Sequence, residues 1–491
     1  MKATSIARIA RAAGASPAGM TRRRFVEMAL GAGAALMLPA AAFGGPGSKK
    51  PRVLVVGAGF AGLSCAWQLK RAGADVTVLE SRNRVGGRVL TLDNFIDNAV
   101  VEAGAELIGS NHPTWLQYAE RFGLGMRDVT EDEDAEAPII LDGRRISGPE
   151  LDGLWEELSA ALSLMNGDAR KVDLRAPWAG EGAEKLDRTS LADAAARWDV
   201  SKTVRHAALT LLANDNAMRP DRASYLGVLT AIAGGGYERF WTESEVYRCA
   251  QGNQALAFKL AEAIGGGLQL GCAVEEIQLR SGGASAKDSK GATHEADCIV
   301  LTVPPPAWRN FKVDPPVPAG YAPYAGPAVK YLSKVSSAFW EGGEMSPYSL
   351  TDTAIGLTWE GTDGQRKGGS GPACLVVFSG GKAADKCLAF SPSGRGKEFS
   401  RRLEVIYPGY SEAFEKGIFM GWPEEKWTRC GYTSPALGEV TAIYPKFELP
   451  FQERLYFAGE YTSLDFTGFM EGALKTGATT AGKIAKSLNL A

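Results

Sequence analysis

The stretch that most constrains this chain is residues 52–88, RVLVVGAGFAGLSCAWQLKRAGADVTVLESRNRVGGR. It opens on a β-branched apolar run, the pattern of a strand buried on both faces, and that run stops at Gly57. Gly57, Gly59 and Gly62 then stand at GxGxxG spacing ahead of a helical pattern through Leu63, Ala66, Trp67, Leu69 and Lys70, with Gly73 placed to cap it. A second strand, from Val76 to Leu79, delivers Glu80 at its tip. Each residue type has a task in holding a dinucleotide. The first glycine permits the turn, the second lets backbone N–H groups approach a pyrophosphate, and the third brings helix against strand, while the helix N-terminus adds partial positive charge. Glu80 is placed to accept hydrogen bonds from ribose hydroxyls. A lone GxGxxG is a weak signal; here strand, glycines, helix, second strand and acid occur in order.

The continuation Arg84-Val85-Gly86-Gly87-Arg88 resembles the RxGGR segment of the FAD-dependent amine oxidase superfamily, which includes monoamine and polyamine oxidases and L-amino-acid oxidases. The resemblance implies FAD, with Gly86, Gly87 and Arg88 along its phosphates and ribityl chain. Gly57, Gly59, Phe60, Ala61, Gly62, Glu80, Ser81 and Arg82 are the candidate contacts of the first motif. A second signature lies near the C-terminus, LYFAGEYTSLDFTGFMEGALKTGATTAGKIA, an apolar strand ending at Ala458-Gly459-Glu460 and a helix from near Met470 towards Ile484. The resemblance places Gly459 and Glu460 at the ribityl–phosphate part of FAD and the Met470 backbone N–H at the flavin pyrimidine. Phe469 takes the second position of the family's aromatic cage, where many relatives carry tyrosine. A helix N-terminus aimed at that edge stabilises the negative charge of reduced flavin.

Between the signatures the resemblance names further residues. Gly104, Ala105 and Glu106 fall in a turn close to the flavin, as backbone neighbours, and Val274 meets the adenine. The family's lysine, which holds a water against flavin N5, lies ten residues before the tryptophan of an FW pair; Lys330 and Trp340 keep that spacing. Lys334 shares a strand face with Lys330, so periodicity does not separate them. The block GWPEEKWTRCGYTSP puts the first cage residue on Tyr432. The position of the covalent flavin cysteine in mammalian monoamine oxidases is Gly431 here, and Cys430 is one residue off, on the opposite face of an extended chain. Non-covalent FAD is expected.

Composition narrows the rest. The chain has 491 residues, 45% of them hydrophobic, enough for a large core, and its net charge of −2 points to neither nucleic acid nor a membrane surface. Seven cysteines without CxxC pairs and only three histidines argue against a metal centre and a disulfide framework. His112, beside Pro113, reads as a helix-start residue. The first residues differ: Arg22-Arg23-Arg24, a short alanine-rich apolar run and Ala40-Ala41-Ala42 read as a Tat signal peptide over 1–42, handled by the Tat translocase and delivering the protein to the periplasm. A retained N-terminal anchor is the alternative.

The fold expected is α/β, a Rossmann-like FAD-binding domain (51–125, 245–300 and 425–485) interleaved with an α+β substrate domain (126–244 and 301–424) that carries a helical insert over 151–230. The activity expected is oxidation of a small-molecule amine. Hydride passes from its α-carbon to flavin N5, the imine hydrolyses to aldehyde or ketone, and O2 reoxidises the flavin to give H2O2. Lys330, Tyr432 and Phe469 are the candidate catalytic residues. A dehydrogenase using a periplasmic electron acceptor stays open, as does an L-amino-acid oxidase with Arg239 or Arg248 on the substrate carboxylate. A protoporphyrinogen-type oxidase or desaturase would use the same cofactor domain without lysine and cage; a flavin-binding scaffold without activity is the remaining class. The sequence does not fix an oligomeric state; a homodimer is one arrangement it allows.

Overall fold

Val53, Leu54, Val55 and Val56 offer no polar face to water, and the fold asks for none: this strand, β1 (Arg52–Val56), is the middle of a five-stranded parallel sheet. The computed structural model describes residues 50–130, 135–341, 345–366 and 371–490; the signal-peptide expectation for 1–42 lies outside them. The sheet partners are β2 (Asp75–Leu79), β3 (Leu268–Gln269), β4 (Cys298–Leu301) and β5 (Leu455–Phe457), in the order β5-β4-β1-β2-β3. Val53 sits opposite both Val76 and Cys298, and Ile299 opposite Leu455. Strands from widely separated parts of the chain thus make one sheet.

Three helices cover it. Helix α1 (Phe60–Arg71) follows β1 directly, ends with Lys70 and Arg71 against its own negative pole, and passes into Gly73 at φ +93°. Helix α2 (Gln254–Ile264) and helix α3 (Met470–Ser487) pack against α1. Small residues set that approach: a Cβ on Gly477 would stand 2.3 Å from the Ala61 carbonyl oxygen.

GLQLGCAVEEIQL does not run as a single strand but breaks at Gly271, φ +60°, after β3. Val274–Arg280 then enters a separate sheet with Gly283–Asp288, Thr293–Ala296 and Lys312–Asp314. The break is fixed by the Gly271 N–H on the Arg82 carbonyl and the Cys272 N–H on the Glu80 carbonyl, which hold the chain beside the tip of β2.

The remaining large sheet has seven strands in the order Phe414–Gly421, Ala328–Val335, Ala373–Gly380, Leu357–Glu360, Ser349–Thr351, Ile139–Leu141 and Arg144–Ile146. Helices Pro149–Ala169, Lys202–Asp215 and Tyr225–Gly234 form most of the expected helical block. Their apolar faces join Trp359 and Phe378 of this sheet in one core. The core under α1 and α3 is a second one. Phe469 belongs to the first and Met470 to the second, so the two cores meet within one peptide bond.

Candidate active site

Along that boundary runs a cavity enclosing about 1450 Å³, open mouth included. It begins at the turn after β1 with Gly57, Gly59, Phe60 and Ala61, and continues over Glu80, Ser81 and Arg82 at the tip of β2. Gly87, Arg88, Gly104, Ala105 and Glu106 form one side; Gly459, Glu460, Phe469 and Met470 form the other. Val274 stands at one end, and Lys330 and Tyr432 at the opposite one. Every residue expected to hold FAD or to carry the amine chemistry therefore lines one cavity, except Gly62. A Cβ on Gly62 would stand 2.0 Å from the Gly57 carbonyl oxygen, so this glycine seats the helix under the turn and touches nothing in the cavity.

The walls fit a dinucleotide. Glu80 is buried and its carboxylate accepts from the Ala58 N–H (2.7 Å), the Arg82 N–H (2.8 Å) and the Ser81 hydroxyl (3.2 Å), which fixes an acid at the ribose position. Gly59 has ordinary extended dihedrals, φ −74° and ψ 178°, and a Cβ there would meet no protein atom nearer than 3.9 Å. Nothing in the chain itself demands glycine at 59; what fills the cavity does. Arg88 donates to Glu460 and to the Gly431 carbonyl, both at 2.8 Å. Burial opposes that charge, but Glu460 holds Arg88 above the ordinary guanidinium range. At the far end Cys272 lines the wall, and burial together with its bond to Asp288 pushes the thiol up to about 11.

The opposite end is apolar with one ion pair. Tyr432 is buried and its hydroxyl donates to the Asp215 carbonyl (2.8 Å), which fixes the side chain in the cavity wall. Burial, with the charges of Asp215, Glu245 and Glu460, holds the phenol well above its usual value and therefore neutral. Phe469 is the cap of α3 and packs against His112, ring centroids 5.2 Å apart. His112 accepts the Gly109 N–H on Nδ1 (2.8 Å), and burial lowers it to about 3, so it is a neutral ring at the start of the helix Pro113–Phe122.

Lys330 and Lys334 do lie on one strand, Ala328–Val335, but only Lys330 reaches the cavity. Lys330 is 1% exposed and paired with Glu106 at 2.6 Å; Lys334 pairs with Glu415 at the surface. Glu106, expected as a backbone neighbour, is instead a side-chain hub, accepting from Lys330 Nζ, Arg248 Nε (2.9 Å) and Trp359 Nε1 (2.9 Å). Burial alone would push its carboxyl up; Lys330 and Arg248 outweigh it and hold it below the usual carboxylate range. Cys430 is buried and does not line the cavity, and a Cβ at Gly431 would stand 2.7 Å from the Ala328 backbone nitrogen. Neither candidate carboxylate-binding arginine lines the cavity. Arg239 pairs with Glu243, and Arg248 is taken up by Glu106, Asp363 and the Glu360 carbonyl.

The reading of the sequence missed Phe378 and Trp422, both in the cavity wall. Phe378 faces Lys330 across the sheet, in a strand buried at all eight positions, where no pattern separates a wall residue from a core one. Trp422 is the second residue of the cage block itself and donates to the Ala103 carbonyl (3.1 Å).

A dinucleotide cradle on a parallel sheet, ending in an aromatic chamber with a buried lysine, defines a flavoprotein that oxidises small molecules. The chain belongs to the family described as flavin containing amine oxidoreductase, whose profile matches residues 60–485. It is 26% identical over 452 residues to the flavin-containing amine oxidase of Danio rerio, covering 87% of this chain and 84% of that one. It is 25% identical over 468 residues to L-amino acid oxidase Bs29 of Bothriechis schlegelii, with 88% and 90% covered. Among solved structures, cyclohexylamine oxidase from Brevibacterium oxydans IH-35A superposes with a TM-score of 0.79 at 23% identity, over 90% of this chain and all of that one. The protein is an FAD-dependent amine oxidase with the fold of that family.

Proposed function

We propose that the protein oxidises a neutral, largely apolar amine between Tyr432 and Phe469, yielding an imine that water converts to aldehyde or ketone, with O2 as oxidant. The observation that carries this reading is the chamber itself: two fixed aromatic rings beside Lys330, at the end of a cavity whose other end is built for a dinucleotide. Bound FAD would supply the acceptor for the hydride of the amine α-carbon. Gly57, Gly59, Phe60, Ala61, Arg88, Glu460 and Met470 would hold it, and Glu80 would take the ribose. The Tyr432 ring aligns the amine, its hydroxyl being committed to Asp215. No side chain need remove a proton from an amine that enters unprotonated, which suits a His112 held neutral.

The commitment of Arg239 and Arg248 elsewhere supports amines over amino acids as substrates. The cofactor domain is read as 51–125, 245–300 and 425–485, with 126–244 and 301–424 shaping the substrate side. Export through the Tat translocase to the periplasm is read from residues 1–42 alone. Among the described residues no helix is long and apolar enough to cross a membrane.

Anaerobic stopped-flow mixing of the yellow protein with monoamines, polyamines and amino acids tests the reading. Bleaching of the flavin by one or more amines, and not by amino acids, is expected; reduction by amino acids alone would overturn it.

A further inference from the structure

Glu106 and Lys330 are each 1% exposed in their side chains and 2.6 Å apart. The lysine is placed by its strand, with Phe378 opposite on one side and Met420 on the other. Its ammonium has three hydrogens. One goes to Glu106 Oε2, a second to the Glu102 backbone carbonyl (3.0 Å), and both bonds anchor it on the segment that forms the cavity side. The other oxygen of Glu106 is fixed by Arg248 and Trp359. Arg248 is fixed in turn by Asp363 and the Glu360 carbonyl. The carboxylate therefore bridges two buried cations, of which Arg248 also pairs with Asp363.

We infer that Glu106 is a positioning residue: it keeps Lys330 an ammonium and aims its remaining hydrogen at the flavin end of the cavity. The inference rests on the proposed placement of the flavin beside Lys330. Its physical basis is charge. With Glu106 uncharged, Arg248 keeps Asp363, while the buried Lys330 loses its ion-pair partner and keeps the Glu102 carbonyl. A buried ammonium without a counter-charge is disfavoured, so Glu106→Gln is the variant in which a lysine-dependent transition is expected. The groups around Lys330 are Glu102 and Glu106 on the cavity side, Arg248 behind them, and Glu360, Asp363 and the Cys374 thiol on the second sheet. Burial pushes the Cys374 thiol far up, out of the working range. Glu102 is pushed up by burial to about 8; its carboxyl accepts from Thr91 and the Asn253 N–H, and it feels the charges of both Glu106 and Lys330.

Glu106→Gln keeps the shape and an oxygen that can accept from Nζ, and removes only the charge. The test is a pH titration of the visible spectrum of the bound, oxidised flavin, from about pH 6 to 10. Glu102 titrates in parent and variants at a pH that moves with the charges at 106 and 330, so only an additional transition is scored. The expected result is an additional transition in Glu106→Gln that vanishes when Lys330→Met is added. The rate of flavin reoxidation by O2 should fall at least tenfold across the same transition in the single variant only. No transition in Glu106→Gln beyond those of the parent, or an additional transition that persists in the double variant, overturns the inference. If Glu106→Gln does not fold, Glu106→Asp, which withdraws the charge by one methylene, must show the same lysine-dependent transition. Flavin reduction by amine in the parent is scored separately: its absence removes the proposed substrate class, while the spectral titration still decides the role of Glu106.

Discussion

Gly59 and Gly62 belong to one motif, yet the structure assigns them different physical tasks, and alanine separates the two. At Gly59 the backbone suits any residue and the nearest protein atom to a new Cβ is 3.9 Å away. Gly59→Ala should leave the apoprotein as stable as the parent or raise it by about 0.4–1 kcal/mol, because the unfolded chain loses freedom. The methyl group points into the cavity where phosphate oxygens must come close. Overpacking of ~1–3 kcal/mol there should weaken FAD binding by about 5- to 150-fold. At Gly62 a Cβ would stand 2.0 Å from a backbone oxygen of Gly57 and 2.9 Å from the Thr302 hydroxyl. The backbone has to move, so the same ~1–3 kcal/mol is lost from the apoprotein itself. Denaturant unfolding of stripped protein reads stability, and flavin fluorescence titration reads affinity. Gly59→Ala binding FAD like the parent, or destabilising the apoprotein as much as Gly62→Ala, would refute the reasoning.

Tyr432→Ala should slow flavin reduction by amine at unchanged FAD content, measured by stopped flow, because the ring and not the hydroxyl faces the cavity. Lys330→Met should slow reoxidation by O2 well beyond its effect on reduction, about tenfold for each ~1.4 kcal/mol of lost charge stabilisation, while Lys334→Met does neither. Glu102, raised to about 8 by burial, stays protonated in the folded state at neutral pH, so its contribution to stability is present below the unfolded carboxyl value and lost as pH rises towards 8. Thermal unfolding between pH 5 and 8, on the order of that window, should fall less steeply in Glu102→Gln than in the parent. Arg22 and Arg23 replaced by lysine should leave FAD-loaded protein in the cytoplasm, and unchanged periplasmic accumulation on fractionation would remove the Tat reading.

What the sequence disclosed followed from how local each signal is. The turn after β1 could be read because its glycines, strand and helix lie within 20 or so residues, and each answers to a backbone requirement. Gly459, Glu460 and Met470 could be read through a resemblance of similar compactness. Lys330 and Lys334 could not be separated by periodicity, since two residues four apart on a strand share a face; the resemblance in the FW spacing chose Lys330, and in the sheet it is Lys330 that ends at the cavity while Lys334 ends at Glu415. The role of the Glu106 side chain was hidden for a stronger reason. Its partners, Arg248, Lys330 and Trp359, come from three distant segments, and no spacing along the chain encodes their meeting. Phe378 is one buried residue among eight and carries no mark at all.

The sheet order β5-β4-β1-β2-β3 puts the last strand of the chain beside the fourth, and Gly459, Glu460, Phe469 and Met470 close the cavity from beyond it. On the ribosome, the glycine turn emerges some four hundred residues before the wall it faces. The cradle therefore has no lid and no second side for most of synthesis, which at about 5–20 residues per second lasts tens of seconds. FAD capture waits for the final helix to dock on α1, so loading and completion of the fold are one event. A chain truncated within α3 would lose its cofactor before it lost its sheet.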